Sequence, residues 1–254
     1  MVKIGIIGGS GLDDPKILKQ TSEIEVETPY GAPTSNLTRG VIEGVEVVII
    51  ARHGKDHSIF PSRVNFRSNI WALKEQGCTH VLATTAVGSL REEIKPGHLV
   101  FPNQFIDHTK KRDLTFFDED VVVHTPMAEP FCSRLIELCS LSAESMKTPF
   151  HKNKTVITIE GPRFSTKAES HMFRGWMADV INMSTVPEVN LAREKKMHYA
   201  AIAMSTDYDC WREGEETVTW ETIVRMMQKN ADHVIKLLLE VIPKIGDYND
   251  VCVK

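Results

Sequence analysis

The stretch "AMSTDYDCW" ends an apolar run in two aspartates one residue apart, Asp207 and Asp209. Carboxylates this close repel each other, and taking either out of water is costly without a hydrogen-bond donor. The pair therefore either stands in a wet loop or meets a partner that donates to it. In the second case crowding and burial raise one pKa toward neutrality, which suits a general acid.

Other apolar runs end in residues with their own chemistry. "KIGIIGG" leads into "SGLDD", where backbone N–H groups and the Ser10 hydroxyl can cradle an anion. The alternative is a plain strand-to-helix turn. It is not a dinucleotide fingerprint, because the third glycine falls at Asp14. After "VEVVIIA", Arg52 and His53 are adjacent, and a planar arginine fork suits phosphate as well as it suits a solvated loop. Thr84, Thr85 and the Ala86 backbone follow "THVLA", as anion donors or as Thr-rich strand packing. "IEGPRFSTKAES" places Glu160, Phe164 and Ser165 near a Gly-Pro turn, where an aromatic either stacks on a planar ligand or fills the core. "MSTVPE" supplies Met183, Ser184 and Glu188, to be weighed against a core methionine and a helix cap.

These residues need elements to hold them. "KIGIIGG", "VEVVIIA", "THVLATTAV", "HLVFPNQFI", "TVITIEG", "DVINMST" and "HYAAIAMST" read as strands. Helical spacing runs over Asn65–Gln76 (stopped by Gly77), Ser133–Met146, Lys167–Met177 and Pro187–Lys196. The longest helix runs over Thr219–Ile242 and is halted by Pro243, with Ile223, Met227, Val234, Leu237 and Leu238 on its apolar face. This alternation predicts one α/β domain spanning 1–254, a mixed, largely parallel sheet flanked by helices. Residues 108–125 form an irregular excursion. Ligands of such sheets collect at the carboxyl ends of the strands, where the residues above lie.

Composition narrows the classes further. The 254 residues are 42% hydrophobic and 25% charged with a formal net charge of -4, ordinary for a soluble globular protein. There is no long basic run to suggest nucleic-acid binding and no apolar run near the ~20 residues of a membrane span. "MVKIGIIGGSGL" enters a strand directly and lacks a signal-peptide pattern. Five cysteines without CxxC or metal spacing read as reduced thiols and a cytoplasmic location.

Long stretches resemble a known family. "IGIIGGSGL", "RHGKDHSIFPSRVNFRSNIWALKEQGCTHVLATTAVGSLREEIKPGHLV", "TVITIEGPRFSTKAES" and "ADVINMSTVPEVNLAREKKMHYAAIAMSTDYDCW" are similar to the methylthioadenosine-cleaving members of the trimeric branch of the purine nucleoside phosphorylases. The resemblance runs from about residue 3 to beyond 240. It implies cleavage of the N-glycosidic bond of 5'-methylthioadenosine by inorganic phosphate, a co-substrate, with no metal or organic cofactor. By position it implies a phosphate site of Ser10, Arg52, His53, Thr85, Ala86 and Ser184, and a ribose contact at Met183. It further implies a base site of Phe164, Ser165, Asp207 and Asp209. His124 matches a position that reaches a neighbour's site, which implies a homotrimer or a hexamer. Two departures concern Ser10, where threonine is common, and Trp220, where a small aliphatic residue usually borders the 5'-substituent.

With adenine as the base, Asp207 is expected to donate to N7 as general acid and Asp209 to accept from the 6-amino group. A 6-oxopurine would instead prefer an amide donor. Rival readings are a phosphorylase preferring adenosine or methylthioinosine, a non-catalytic nucleoside-binding protein, and a nucleotide-dependent oxidoreductase. The missing third glycine argues against the last.

Overall fold

The computed structural model describes residues 2–8, 17–118, 121–214 and 219–246, with main chain alone at positions 220, 222 and 229. Nine strands form one sheet: β1 (Lys3–Gly8), β2 (Lys19–Ile24), β3 (Leu37–Ile42), β4 (Val45–Ala51), β5 (His80–Ser89), β6 (Leu99–His108), β7 (Phe150–Ile159), β8 (Val180–Asn182) and β9 (His198–Asp207). Their order is β2-β3-β4-β1-β5-β8-β7-β6-β9, and β9 pairs back onto β5. Five strands thus close a ring, β5-β8-β7-β6-β9, and the other four extend from it as an open wing.

The sheet is mixed, as expected. β1 lies parallel to β4 and β5, β5 to β9, and β7 to β6 and β8. The remaining pairs, β2–β3, β3–β4, β5–β8 and β6–β9, are antiparallel. β9 is buried along nearly its whole length, which explains why its apolar run shows no alternation. β2 and β3 were not legible. "KQTSEI" is exposed and polar and "LTRGVI" holds a glycine, so neither carries an apolar run; their pairing descends from β4.

Five helices flank the sheet: α1 (Phe66–Glu75), α2 (Ser133–Ser145), α3 (Lys167–Gly175), α4 (Thr185–Glu194) and α5 (Trp220–Gly246). Asn65 caps α1 by accepting from the Ser68 amide, and Gly77 follows it at φ +81°. α4 opens two residues before Pro187, although Val186 is not helical. Pro243 does not halt α5, which continues to Gly246. Continuation buries Ile245 beside Val241 and Ile242, and that burial offsets the one hydrogen bond proline cannot donate. α2 and α5 pack together, Lys244 Nζ of α5 donating to Ser142 Oγ of α2, and Leu135, Cys139, Leu237 and Leu238 on the two helices are buried.

Beyond His108 the described residues of the segment 108–125 are irregular, as expected, and tied down at several points, among them Asp113 and Asp118 on Arg67 and Thr115 and Phe116 on Glu194. The Arg112 guanidinium, almost wholly buried, donates to the Val186, Ile159 and Glu160 carbonyls and pairs with the Glu160 carboxylate. Glu160 also accepts from the Lys110 and Lys111 amides, so it serves this excursion. Among the described residues no helix is long and apolar enough to cross a membrane. Among the described residues Cys78, Cys132, Cys139 and Cys210 form no disulfide.

Candidate active site

A cavity of about 520 Å³ opens where β4, β5, β8 and β9 end, and α5 walls one side. Its wall includes Arg52, His53, Thr85, Ala86 and Ser184 toward one end of the β5 stretch and, three residues further along β5 beside Gly88, Asp207 and Asp209; Phe164, Ser165 and Met183 also line it. Ten of the thirteen residues singled out from sequence therefore share one cavity. Ser10 lies outside the described residues, and at Trp220 only the main chain is described. His124 is exposed on the excursion and does not line this chain's cavity.

The first end is a nest of donors. Arg52 is not in a solvated loop: it is 2% exposed. Its Nε and Nη2 form a fork on the Glu188 carboxylate, the Nη2–Oε2 distance being 3.0 Å, and Nη1 donates to the Thr84 carbonyl at 2.8 Å. Burial opposes the arginine charge and Glu188 more than restores it, so its pKa is raised. Thr85 and Ser184 hydroxyls meet at 2.8 Å. Asn182 braces both strands, donating to Thr85 and Thr185 and accepting from Thr158. Ser184 precedes the first residue of α4, and the non-helical Val186 separates it from the regular helix beyond.

His53 contributes differently. Burial, then the Arg52 charge, push its pKa down to about 3, so the ring is neutral. Its Nδ1 sits 2.9 Å from the Ile59 carbonyl. A carbonyl can only accept, so Nδ1 carries the proton and Nε2 keeps a lone pair.

The second end holds the aspartates. Asp207 accepts from the Thr206 hydroxyl at 2.6 Å and from the Asp209 amide at 2.7 Å. Burial nevertheless raises its pKa to about 6, the two hydrogen bonds opposing and the Asp209 charge assisting. Asp209, at φ +50°, is raised too, mainly by burial, with Ser170 and Ser165 hydroxyls opposing. Asp209 is buried in the wall and Asp207 half-buried. Gly88 makes room for them: a Cβ there would lie 3.0 Å from Asp207 Oδ1 and 3.1 Å from Ile181 Cγ2.

Phe164 and Ser165 arrive on the loop before α3, fixed by a capping box. The Thr166 hydroxyl accepts from the Glu169 amide, and the Glu169 carboxylate accepts from the Thr166 amide. Arg163 forks onto the same carboxylate with both contacts at 2.7 Å. Phe164 stays 38% exposed, its face open to a planar ligand. Gly161, at φ +70°, packs on Met183; a Cβ would lie 2.4 Å from its Sδ.

Several wall residues escaped the sequence reading. Ile223 and Met227 belong to the predicted apolar face of α5, yet that face also closes the cavity. Asn182 and Thr206 gave no signal beyond their place in strands. His57 lines the wall at φ +51°, four residues beyond His53.

The chain belongs to the phosphorylase superfamily, whose family model matches residues 3–243. It is 55% identical over 249 residues to the S-methyl-5'-thioadenosine phosphorylase of Danio rerio, covering 96% of this chain and 89% of the relative. It is 52% identical over 246 residues to that of Thermofilum pendens, covering 97% and 93%. The methylthioadenosine phosphorylase of Schistosoma mansoni, solved with adenine, superposes with a TM-score of 0.95 at 42% identity, covering 98% and 93%. A variant of the adenosine/methylthioadenosine phosphorylase of Schistosoma mansoni, solved with methylthioadenosine, gives a TM-score of 0.93 at 41% identity, covering 98% and 93%.

Proposed function

We propose that this cavity cleaves 5'-methylthioadenosine with inorganic phosphate, releasing adenine and 5-methylthioribose 1-phosphate. The observation that carries this reading is the pairing of a donor nest at Arg52, Thr85 and Ser184 with two pKa-raised carboxylates in one cavity. The relatives named above act on or bind the same nucleoside.

Breaking the glycosidic bond builds positive charge on the sugar and negative charge on the base. Phosphate, held by Arg52, the Thr85 and Ser184 hydroxyls and the Ala86 amide, is both nucleophile and counter-charge. His53, neutral with a lone pair on Nε2, accepts a hydrogen bond from the P–OH of monohydrogen phosphate, which keeps its proton. Asp207 gives its proton to N7 as the bond breaks, and a pKa near 6 leaves it able to do so close to neutrality. Asp209 accepts from the 6-amino group, Phe164 stacks on the purine, and Met183 lies under the ribose. Ile223 and Met227 give the methylthio group apolar surface. Phosphate is a co-substrate and no other cofactor takes part.

The chain works as a homotrimer or a multiple of one, with His124 completing a neighbour's cavity. Support comes from the family resemblance and from the exposed Val121, Val122 and Val123 beside it, which are 60%, 82% and 42% accessible. Light scattering that returned the mass of a single chain at catalytic concentrations would remove this part of the reading.

The deciding assay follows adenine release from methylthioadenosine with and without phosphate, after dialysis against EDTA, with adenosine and methylthioinosine in parallel. Strong phosphate-dependent release from methylthioadenosine is the expected result. Release without phosphate would mean hydrolysis, and faster turnover of either comparator would reassign the substrate.

A further inference from the structure

Arg52 is held by two protein partners. Glu188, fully buried in α4, takes the Nε–Nη2 edge of its guanidinium, and the Thr84 carbonyl takes Nη1. The Tyr199 hydroxyl, in β9, donates to the same Glu188 oxygen that Nη2 uses, at 3.0 Å. Tyr199 is 2% exposed, and its ring lies 5.9 Å from that of Phe131. Three of the five guanidinium N–H groups are thereby committed. One on each terminal nitrogen has no protein acceptor among the described residues, and Arg52 lines the cavity.

We infer that Glu188 and Tyr199 are positioning residues for phosphate, setting the plane of Arg52 so that its two uncommitted N–H groups meet the anion. This rests on the phosphorolysis reading and deepens it. An arginine has several rotatable bonds, and a bidentate contact needs its plane fixed. The fork on Glu188 fixes it, and Tyr199 fixes Glu188 in turn. Ser184 stands just before α4 and Glu188 within it, four residues on, so one short stretch of chain carries both an anion contact and the brace of the anion-binding arginine. The ion pair also balances the Arg52 charge, so an empty pocket is not left with a bare buried cation. A purely structural ion pair tying β4 to α4 would use the same contacts without any effect on phosphate, so the test must separate the two.

Tyr199→Phe and Glu188→Asp both preserve every formal charge. The first removes only the hydroxyl; the second withdraws the carboxylate by one methylene. Isothermal titration calorimetry with inorganic phosphate is run on both and on wild type. The dissociation constant is expected to rise about 3-fold or more in Tyr199→Phe and about 10-fold or more in Glu188→Asp. In turnover, KM for phosphate follows while KM for methylthioadenosine stays within about twofold of wild type. Variants that bind phosphate as wild type does, with only a lower melting temperature, would reduce the pair to a structural tie and overturn the inference. Tyr199→Phe decides this even where Glu188→Asp fails to fold. Wild type that gives no heat with phosphate would overturn the anion site itself, and the brace with it.

Discussion

At the scale of the residue, Asp207 concentrates a conflict between stability and chemistry. Its two hydrogen bonds favour the carboxylate, yet burial outweighs them and lifts the pKa to about 6. If the protonated form does the work, kcat/KM for methylthioadenosine falls as pH rises through about 6. Asp207→Asn cannot transfer a proton and should lose about 100-fold or more in kcat, with phosphate binding unchanged by calorimetry. Stability moves in the same direction. A folded pKa raised above the unfolded one favours the native state below the unfolded value of about 3.8 and loses that advantage as pH rises through about 6. Asp207→Asn should therefore melt higher relative to wild type at about pH 8 than at about pH 4. The aspartates were legible because polar residues that close an apolar run are conspicuous. Asn182 and Thr206 were not, since nothing local separates a bracing amide or hydroxyl from an ordinary strand residue. Glu188 resembled a first-turn helix acid, and its partner lies 136 positions away.

At the scale of the element, the site depends on where secondary structure begins and ends. α3 starts at its capping box, and that box holds Phe164 and Ser165 against the cavity. Thr166→Ala should cost about 1 kcal/mol in urea unfolding and raise KM for the nucleoside without raising KM for phosphate. An equal rise in both would show that the cap supports the whole cavity and not the base loop. The strands that carry the site were readable as apolar runs, because a buried strand tolerates little else. β2 and β3 were hidden, since an edge strand is defined by its neighbour more than by its own residues. The end of α5 was misjudged at Pro243, where tertiary burial overrides the local cost of proline.

At the scale of the whole molecule, buried imidazoles set the acid limit. Burial lowers the pKa of His53 to about 3 and of His80 to about 4, and lowers His98 and His151 as well. A depressed histidine pKa contributes stability that is complete above the unfolded value of about 6.5 and is lost as pH falls toward the folded value. Four such groups outnumber Asp207, so the melting temperature should drop between about pH 7.5 and about pH 5.5. His80→Gln should flatten that slope. His80 stacks on His198 with centroids 4.4 Å apart, at the start of the β5–β9 pairing and far from Asp207 at its end. That pairing also sets the order of assembly. His80 and His198 are separated by more than a hundred residues, and closing so long a loop is slow compared with forming helices or the β3–β4 hairpin. Until it closes there is no ring, and without the ring Gly88, Ile181 and Asp207 do not meet. In refolding from urea, far-UV ellipticity should therefore return before phosphorolysis does. A nascent chain would be rich in helix long before it could hold a nucleoside, and catalysis would be the last property the fold acquires.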